Sequence, residues 1–300
     1  MTSFVAFAPA KVNLFLAITG RRPDTFHNLV SVAAPLGFGD TLWFALDDLP
    51  VGGEASIRLV CDDASVPAGD SNLILKAARA FIAVTGWRGG GVFHLTKRIP
   101  MGAGLGGGSS DASAALSVLN AAAGRPLAQS DLMGLASRIG SDCPLFLAGT
   151  PVVMRGRGEL LEALPESAIK RISGRRVLVF KPWFGIGTAW AYQEMAAGAP
   201  SSYLAPDKAE ERLARWVQDT GGTLEDLLFN NMEMPAFHKF ISMPVLMQIL
   251  SEQCGLSARM SGSGSACFVP LPDGFDARPA IAAIRSAWGD ESFAIETRFM

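Results

Sequence analysis

The segment that most constrains this chain is residues 100–111, Pro-Met-Gly-Ala-Gly-Leu-Gly-Gly-Gly-Ser-Ser-Asp, and almost all of the next dozen residues are helix formers. Glycine carries no Cβ, so the backbone of such a loop can approach a ligand closely. A helix that starts directly after the loop adds unpaired N–H groups and the positive end of its dipole, which together bind anions. The segment therefore predicts a phosphate site and favours an enzyme that uses a nucleotide.

Two common nucleotide motifs do not fit this loop. Gly102, Gly104 and Gly107 have the G-x-G-x-x-G spacing, but a dinucleotide site also needs a strand that ends in an acidic residue roughly 20 residues later. That stretch of this chain reads as a turn followed by a helix. The P-loop pattern requires lysine where this chain has Gly108. A flexible linker is disfavoured because the loop and its flanks contain apolar residues.

Composition and charge limit the class of protein. The 300 residues are 49% hydrophobic, which is enough for a large core and about two domains. The net charge of −2 gives no electrostatic reason to expect a nucleic acid or an anionic membrane as partner. No apolar run reaches the roughly 20 residues of a membrane span. Four scattered cysteines and an N-terminus without a basic signal region predict reduced thiols in a cytoplasmic protein.

The order of the predicted elements indicates an α+β protein with a domain boundary near Gly156. Hydrophobic periodicity predicts strands at residues 4–8, 11–18, 41–46, 56–60, 92–99, 176–180, 258–260, 266–271 and 293–299, and the second half of the chain opens near residues 152–154. It predicts helices at residues 72–84, 110–123, 131–139, 207–217, 224–228, 245–253 and 278–288.

At the glycine loop the chain resembles the galactokinase–homoserine kinase–mevalonate kinase–phosphomevalonate kinase (GHMP) superfamily, which uses a proline-led Gly-Ser loop instead of a P-loop lysine. Residues 9–14 and 20–29 are similar to the branch that acts on a cytidine diphosphate-linked methylerythritol, and residues 261–264 are similar to the superfamily's third motif. The resemblance spans the whole chain. It implies a two-domain GHMP kinase fold, with a ribosomal-protein-S5-like ATP-binding domain over residues 1–156 and a ferredoxin-like domain over residues 157–300.

The resemblance also implies an activity. It is the transfer of the ATP γ-phosphate, with Mg²⁺, to the 2-hydroxyl of the cytidine-linked polyol, in the non-mevalonate route to isoprenoid precursors. A homoserine or mevalonate kinase and a nucleotide-binding module without catalysis are the alternatives. We expect a small-molecule substrate and a monomer or weak homodimer. No acidic pair identifies metal ligands, and Ser110 and Asp111 are the candidates.

Phosphoryl transfer requires placement and charge neutralisation more than a strong base. Asp142 is the candidate that orients the alcohol and takes its proton, and its alternative role is to cap the segment that begins at Leu145. The resemblance places Lys11 beside Asp142, whereas the ordinary role of such a lysine is at a sheet edge with its ammonium in water. Asn13 would hydrogen-bond the polyol.

Phe26 and His27 are the predicted base-reading pair, because an aromatic face offers a stacking surface to a nucleobase. The alternative is a buried phenylalanine and a surface histidine in a turn. Thr25 and Phe26 stand where the branch usually has glycine and tyrosine, and Ser113 stands where it usually has alanine. Thr188 is expected to contact substrate phosphate.

The residues expected to hold the triphosphate are Pro100, Met101, Gly102, Ala103, Gly104, Leu105, Gly106, Gly107, Gly108, Ser109 and Ser110. At least one of the two serines is expected to cap the helix that follows. Residues 261–264 are expected to support this loop.

Overall fold

The computed structural model describes residues 2–47 and 56–300. The strands are β1 (Ser3–Arg21), β2 (His27–Leu46), β3 (Ile57–Cys61), β4 (Gly91–Thr96), β5 (Val152–Arg155), β6 (Leu160–Ala163), β7 (Arg176–Lys181), β8 (Phe229–Asn230), β9 (Arg259–Met260), β10 (Cys267–Pro270) and β11 (Phe293–Arg298). The helices are α1 (Leu73–Thr85), α2 (Gly107–Ala122), α3 (Gln129–Ile139), α4 (Cys143–Ala148), α5 (Glu166–Lys170), α6 (Thr188–Ala197), α7 (Pro206–Gln218), α8 (Glu233–Lys239), α9 (Ser242–Cys254) and α10 (Arg278–Trp288), with a 3₁₀ turn at Glu225–Leu227. None of these helices has both the length and the apolar character that a membrane crossing requires.

The chain forms two compact units, each made of segments that are separated in the sequence. The first unit consists of Met1–Ala10, Phe38–Ile99 and Gly106–Gly149, and the second of Lys11–Gly37, Pro100–Leu105 and Thr150–Met300. The chain passes from the second unit to the first inside the glycine loop, between Leu105 and Gly106. The division at residue 156 stays a prediction.

In the first unit, helices pack against one face of a sheet. The 41–46 part of β2 pairs antiparallel with β4, and β4 pairs parallel with β3. Side chains of β4 alternate between the core and solvent, with Phe93 and Leu95 buried and His94 exposed. Small residues on α2, including Ala112 and Ala115, allow α1 and α2 to pack closely in the same core. This packing fixes the position of the helix that follows the glycine loop.

The second unit contains a four-stranded antiparallel sheet in the order β11-β7-β10-β9. Residues 177–180 of β7 are fully buried, which explains the continuous apolar run at the centre of this strand. Elsewhere in this unit β5 pairs with the 31–33 part of β2 and with β6, and β1 pairs parallel with β8. The β9–β10 hairpin carries the 261–264 turn.

Most predicted elements are present, and the differences have physical reasons. The strands predicted at residues 4–8 and 11–18 form the single strand β1, which Pro9 does not interrupt. The first half of β2 escaped prediction because its residues are almost all buried, which removes the alternation that marks a half-buried strand. Helix α2 begins at Gly107 and not at residue 110. Helices α4 and α5 are too short, with six and five residues, to show a period.

Candidate active site

The predicted site residues divide between the two units. The first unit holds residues 106–110 and Asp142, and the second holds residues 100–105, Lys11, Asn13, Phe26, His27 and Thr188.

The first half of the glycine loop is held by the turn at residues 261–264. Ser261 Oγ donates a hydrogen bond to the carbonyl oxygen of Gly104 at 3.0 Å, and Ala266 N–H donates to that of Ala103 at 3.0 Å. Gly104 has a φ of +75°, and a Cβ there would lie 2.2 Å from the carbonyl oxygen of Ser261. Only glycine fits this position, because any other side chain would be strained and would collide with the turn. These contacts agree with the expected supporting role of the turn.

The second half of the loop leads directly into α2. Gly106, with a φ of +72°, is the N-cap residue, and no side-chain capping bond is present among the described residues. The predicted capping by Ser109 or Ser110 is therefore wrong, since both lie inside the first turn. Ser110 is fully buried, and its Oγ has no hydrogen-bond partner within the described parts of the chain. This hydroxyl and the N–H groups of the first turn make the N-terminus of α2 suitable for binding an anion.

Lys11 and Asn13 form a buried polar pair on β1. Lys11 Nζ donates to Asn13 Oδ1 at 2.6 Å, and Asn13 Nδ2 donates to Ser31 Oγ at 2.9 Å. Lys11 is 5% exposed, so the alternative of a solvated edge lysine is wrong. Its backbone N–H donates to the carbonyl oxygen of Leu105 at 2.9 Å, which joins this part of β1 to the glycine loop.

Asp142 lies at the N-cap position of α4, but in the described residues its side chain makes no capping hydrogen bond. The capping role considered from the sequence is therefore wrong. Ser113 Oγ, on α2, donates to the carbonyl oxygen of Cys143 at 2.7 Å. A Cβ on Gly140 would lie 3.1 Å from Cys143 Sγ. Helix α2 and this close approach fix the backbone that carries Asp142.

Phe26 lies in the turn between β1 and β2 and is 51% exposed, so it is not the buried phenylalanine of the alternative. The guanidinium carbon of Arg157 lies 4.6 Å from its ring centroid, which is a cation–π contact. Thr25, the residue before it, has a φ of +70°. This left-handed conformation is strained for a β-branched residue. The turn thus presents an aromatic face to solvent at the expense of backbone strain.

His27 is buried, with 7% of its surface exposed, so the surface histidine of the alternative is also wrong. Its Nε2 lies 3.1 Å from the hydroxyl of Tyr203, and its ring centroid lies 4.9 Å from that of Tyr192. Burial, followed by the charge of Arg21, lowers the pKa of His27. The two tyrosines were not found from the sequence, because Tyr203 is 176 residues away from His27 along the chain.

Thr188 is the exposed first residue of α6. Its Oγ1 lies 3.1 Å from Ser263 Oγ, so the helix start is linked to the 261–264 turn. Helix α6 was not predicted, because only Ala191 and Met195 of its side chains are buried and no apolar stripe marks it.

The first unit also contains a buried ion cluster, Asp40, Lys97 and Asp111. Lys97 Nζ donates to Asp40 Oδ2 at 2.5 Å and to Asp111 Oδ2 at 2.8 Å, and the three side chains are at most 6% exposed. Burial raises the pKa of the Asp111 carboxyl to about 7, although Lys97 acts in the opposite direction. Burial by itself would lower the pKa of the Lys97 ammonium. The two neighbouring carboxylates outweigh this effect, so the pKa is raised. The sequence indicated only Asp111, as a candidate metal ligand.

Two protein-family models match the chain. The model for the GHMP kinases N terminal domain matches residues 72–150, which include the whole glycine loop and Asp142, and the model for the GHMP kinases C terminal matches residues 218–290. A solved mevalonate kinase structure matches over 99% of this chain and 99% of its own chain, with a TM-score of 0.72 and 12% identity. A homoserine kinase structure from Cytophaga hutchinsonii matches over 100% of this chain and 95% of its own chain, with a TM-score of 0.68 and 16% identity. The predicted α+β, two-domain GHMP kinase fold is confirmed.

More similar relatives narrow the assignment. The 4-diphosphocytidyl-2-C-methyl-D-erythritol kinases of Synechococcus sp. (strain CC9902) and Methylacidiphilum infernorum (isolate V4) are 38% and 35% identical to this chain, over 89% and 88% of it and 87% and 84% of their own lengths. A crystal structure of 4-(cytidine 5'-diphospho)-2C-methyl-D-erythritol kinase matches with a TM-score of 0.77 and 32% identity, over 98% of this chain and 99% of that one. The chain belongs to the family of 4-diphosphocytidyl-2-C-methyl-D-erythritol kinases within the GHMP kinases. The predicted small-molecule kinase that uses ATP is thereby confirmed.

Proposed function

We propose that this enzyme transfers the γ-phosphate of ATP to the 2-hydroxyl of 4-diphosphocytidyl-2-C-methyl-D-erythritol. The observation that carries the proposal is the similarity of nearly the whole chain to relatives of that name, at 38% identity for the Synechococcus kinase. The homoserine and mevalonate kinase structures, at 16% and 12% identity, support the fold alone. Those two alcohols are therefore the alternatives that an assay must exclude.

In the proposed reaction the 2-hydroxyl oxygen forms a bond to the γ-phosphorus, the bond from that phosphorus to the β–γ bridging oxygen breaks, and ADP leaves. The loose transition state allows the proton to leave the hydroxyl late. We assign Asp142 to orient the hydroxyl and accept this proton, and Lys11 to stabilise the developing negative charge. Asn13 would hydrogen-bond the polyol. The buried bond between Lys11 and Asn13 supports a fixed position for both groups.

The glycine loop, residues 100–110, would hold the triphosphate through its backbone N–H groups and the start of α2. We include Mg²⁺ in the proposal, because it would neutralise part of the negative charge of the ATP phosphates. No group of three His, Cys, Asp or Glu side chains able to hold a metal ion exists among the described residues. The buried Ser110 hydroxyl, which has no hydrogen-bond partner in the described parts of the chain, is the group that would bind the ion.

For the cytidine end of the substrate, Phe26 would stack on the base and His27 would hydrogen-bond its edge. The exposure of the Phe26 ring supports the first role. The lowered pKa of His27 supports the second, because a neutral imidazole offers one donor and one acceptor nitrogen. Thr188 would donate its hydroxyl to a substrate phosphate, as the exposed first residue of a helix.

A coupled ADP-release assay tests the substrate. We expect the purified enzyme to turn over 4-diphosphocytidyl-2-C-methyl-D-erythritol with ATP, and to show only background ADP release with homoserine or mevalonate. Turnover restricted to homoserine or mevalonate would overturn the substrate assignment and keep the kinase fold.

The Asp142→Asn variant tests catalysis against simple nucleotide binding. We expect kcat to fall by about 10²-fold or more, because the alcohol loses the group that orients it and accepts its proton. The melting temperature and the Kd for ATP should stay at the wild-type values. Asp131→Asn, at an exposed aspartate in the first turn of α3, is the matched control and should keep full activity. An unchanged kcat in Asp142→Asn would contradict the catalytic role.

A further inference from the structure

The buried ion cluster fixes both ends of the glycine loop. Where the chain enters the loop, Asp40 Oδ1 accepts hydrogen bonds from the backbone N–H groups of Arg98 (2.5 Å) and Ile99 (2.8 Å). Where the chain leaves the loop, Asp111 Oδ2 on α2 accepts from Lys97 Nζ at 2.8 Å. Lys97 also donates to Asp40 Oδ2, so one ammonium joins the two ends.

The first residue of α2 lies directly against this cluster. A Cβ on Gly107 would lie 3.0 Å from Lys97 Nζ and 3.0 Å from Ile99 Cγ2. The helix start therefore has no room to move toward β4, while the bond from Lys97 to Asp111 resists movement away from it. The first turn of α2 is held from both directions.

The charge of the cluster argues against direct phosphate binding by Lys97. Its single ammonium is bonded to two carboxylates, so it brings no excess positive charge to a triphosphate. Stability is a poor explanation too, because the cost of desolvating buried ions offsets much of their attraction. Asp111 Oδ1 is buried without a hydrogen-bond partner among the described residues, which also costs free energy. A role in placing the loop accounts for both observations.

We propose that Asp40, Lys97 and Asp111 are positioning residues for ATP, which set the spacing between the two ends of the glycine loop without contacting the nucleotide. Fixed donors bind and stabilise phosphate better than mobile ones, since little ordering is left to be done on binding. The inference deepens the proposed function and rests on it, because that function assigns the triphosphate to this loop.

Two substitutions of Asp111 separate positioning from bulk stability. Asp111→Asn keeps an oxygen acceptor for Lys97 and should hold the Kd for ATP, measured by calorimetry, within about threefold of wild type. Asp111→Leu keeps the side-chain size without an acceptor. It should raise the Kd and the KM for ATP by about tenfold or more and change the KM for the alcohol by less than about threefold. Lys97→Met, which removes the ammonium and keeps the stem, should give the same ATP-selective loss.

Phe44→Leu is the matched control. It weakens the core of the same unit, where Phe44 packs on Phe93 with ring centroids 4.6 Å apart, and it leaves the cluster intact. It should lower the melting temperature and keep the wild-type Kd for ATP. The inference is overturned if folded Asp111→Leu and Lys97→Met bind ATP like wild type, if neither folds, or if Phe44→Leu weakens ATP binding equally. A wild-type enzyme that binds no ATP would contradict the proposed function instead.

Discussion

Phe26 and His27 are neighbours in the chain, yet they meet opposite environments. The ring of Phe26 is half exposed, whereas His27 is buried against two tyrosines. A nucleobase has an apolar face and a polar edge, so an exposed ring beside a buried hydrogen-bonding group matches its two surfaces. The pair is therefore where substrate selectivity is best tested.

Phe26→Ala should weaken binding of the cytidine substrate more than binding of ATP. Loss of a stacking surface costs roughly 1–3 kcal/mol per base, so we expect the KM for the alcohol to rise about tenfold and the KM for ATP to stay nearly constant. Steady-state kinetics with each substrate varied in turn measures both constants. Trp43→Ala, at an aromatic residue of β2 with 50% exposure, is the control for removal of an exposed ring. A parallel rise of both KM values would contradict stacking by Phe26.

His27 should make the protein less stable at acidic pH. Its pKa is lowered in the folded state from the ordinary 6.5, so as pH falls through this value the unfolded chain binds more protons than the folded one. The contribution of a neutral His27 is present above pH 6.5 and is lost below it. Urea unfolding at pH 7.5 and 5.5 should show a smaller loss of stability in His27→Gln than in wild type. His94→Gln, at an exposed histidine, should follow wild type, and identical losses in all three proteins would refute the prediction.

The site prediction was made from residue types at short spacing, and long-range contacts did not enter it. Lys11, Asn13 and the glycine loop could be singled out because their chemistry stands out from the surrounding sequence. The burial of Lys11 could not, since it depends on Asn13, Ser31 and the packing around β1. Nothing in the sequence around Lys97 and Asp40 distinguishes them from surface charges. Only folding brings the two side chains together next to the glycine loop.

At the scale of the element, Gly102 and Gly104 of the glycine loop are both left-handed but have different neighbours. Gly102 has a φ of +62° and open space where a Cβ would lie, whereas Gly104 has a φ of +75° and the carbonyl oxygen of Ser261 at 2.2 Å. An alanine at either position would have to adopt the left-handed conformation, which destabilises the fold by roughly 1–2 kcal/mol. Only at Gly104 does a collision with the 261–264 turn add to it.

Gly104→Ala should therefore damage the enzyme far more than Gly102→Ala. We expect Gly104→Ala to lower the melting temperature further and to raise the KM for ATP at least about tenfold, because the loop must move away from its supporting turn. Gly102→Ala should show only the conformational cost. Thermal unfolding and ATP kinetics on the two variants, side by side, make the comparison. Equal damage would show that the contact with Ser261 has no effect of its own.

Elements with a clear period were predictable within a few residues. The helix predicted at residues 72–84 is Leu73–Thr85, and the one predicted at 131–139 is Gln129–Ile139. The start of α2 was misplaced because a serine cap was expected, whereas the N-cap residue is Gly106, with a left-handed backbone. Conformations of this kind are open to glycine at any position, so the sequence alone does not locate them.

For the whole molecule, ATP should act as a stabilising ligand. A ligand that binds only the folded chain adds about 2.7 kcal/mol at a concentration of 100 Kd. We expect Mg²⁺-ATP to raise the melting temperature in a concentration-dependent way, and NAD⁺ at the same concentrations to leave it unchanged. Differential scanning fluorimetry measures both. Stabilisation by NAD⁺ and not by ATP would favour the dinucleotide site that the spacing of Gly102, Gly104 and Gly107 also suggests.

The α+β class and the two-domain architecture could be predicted from motif order and element order, but the way the chain divides could not. Contact between distant segments, and not sequence position, assigns residues 11–37 and 100–105 to the same unit as residues 150–300. Periodicity describes one element at a time, so it carries no information on such regrouping.

The interleaved units make the enzyme difficult to dissect. A fragment of residues 157–300 would lack the two earlier segments that complete the second unit, and a fragment of residues 1–156 would carry those segments without most of their packing partners. Neither half is therefore a natural piece for truncation or for exchange with a relative. A chimaera that respects the fold must transplant several short stretches together, and a single protease cut in residues 11–37 would disable a unit whose bulk lies more than a hundred residues downstream.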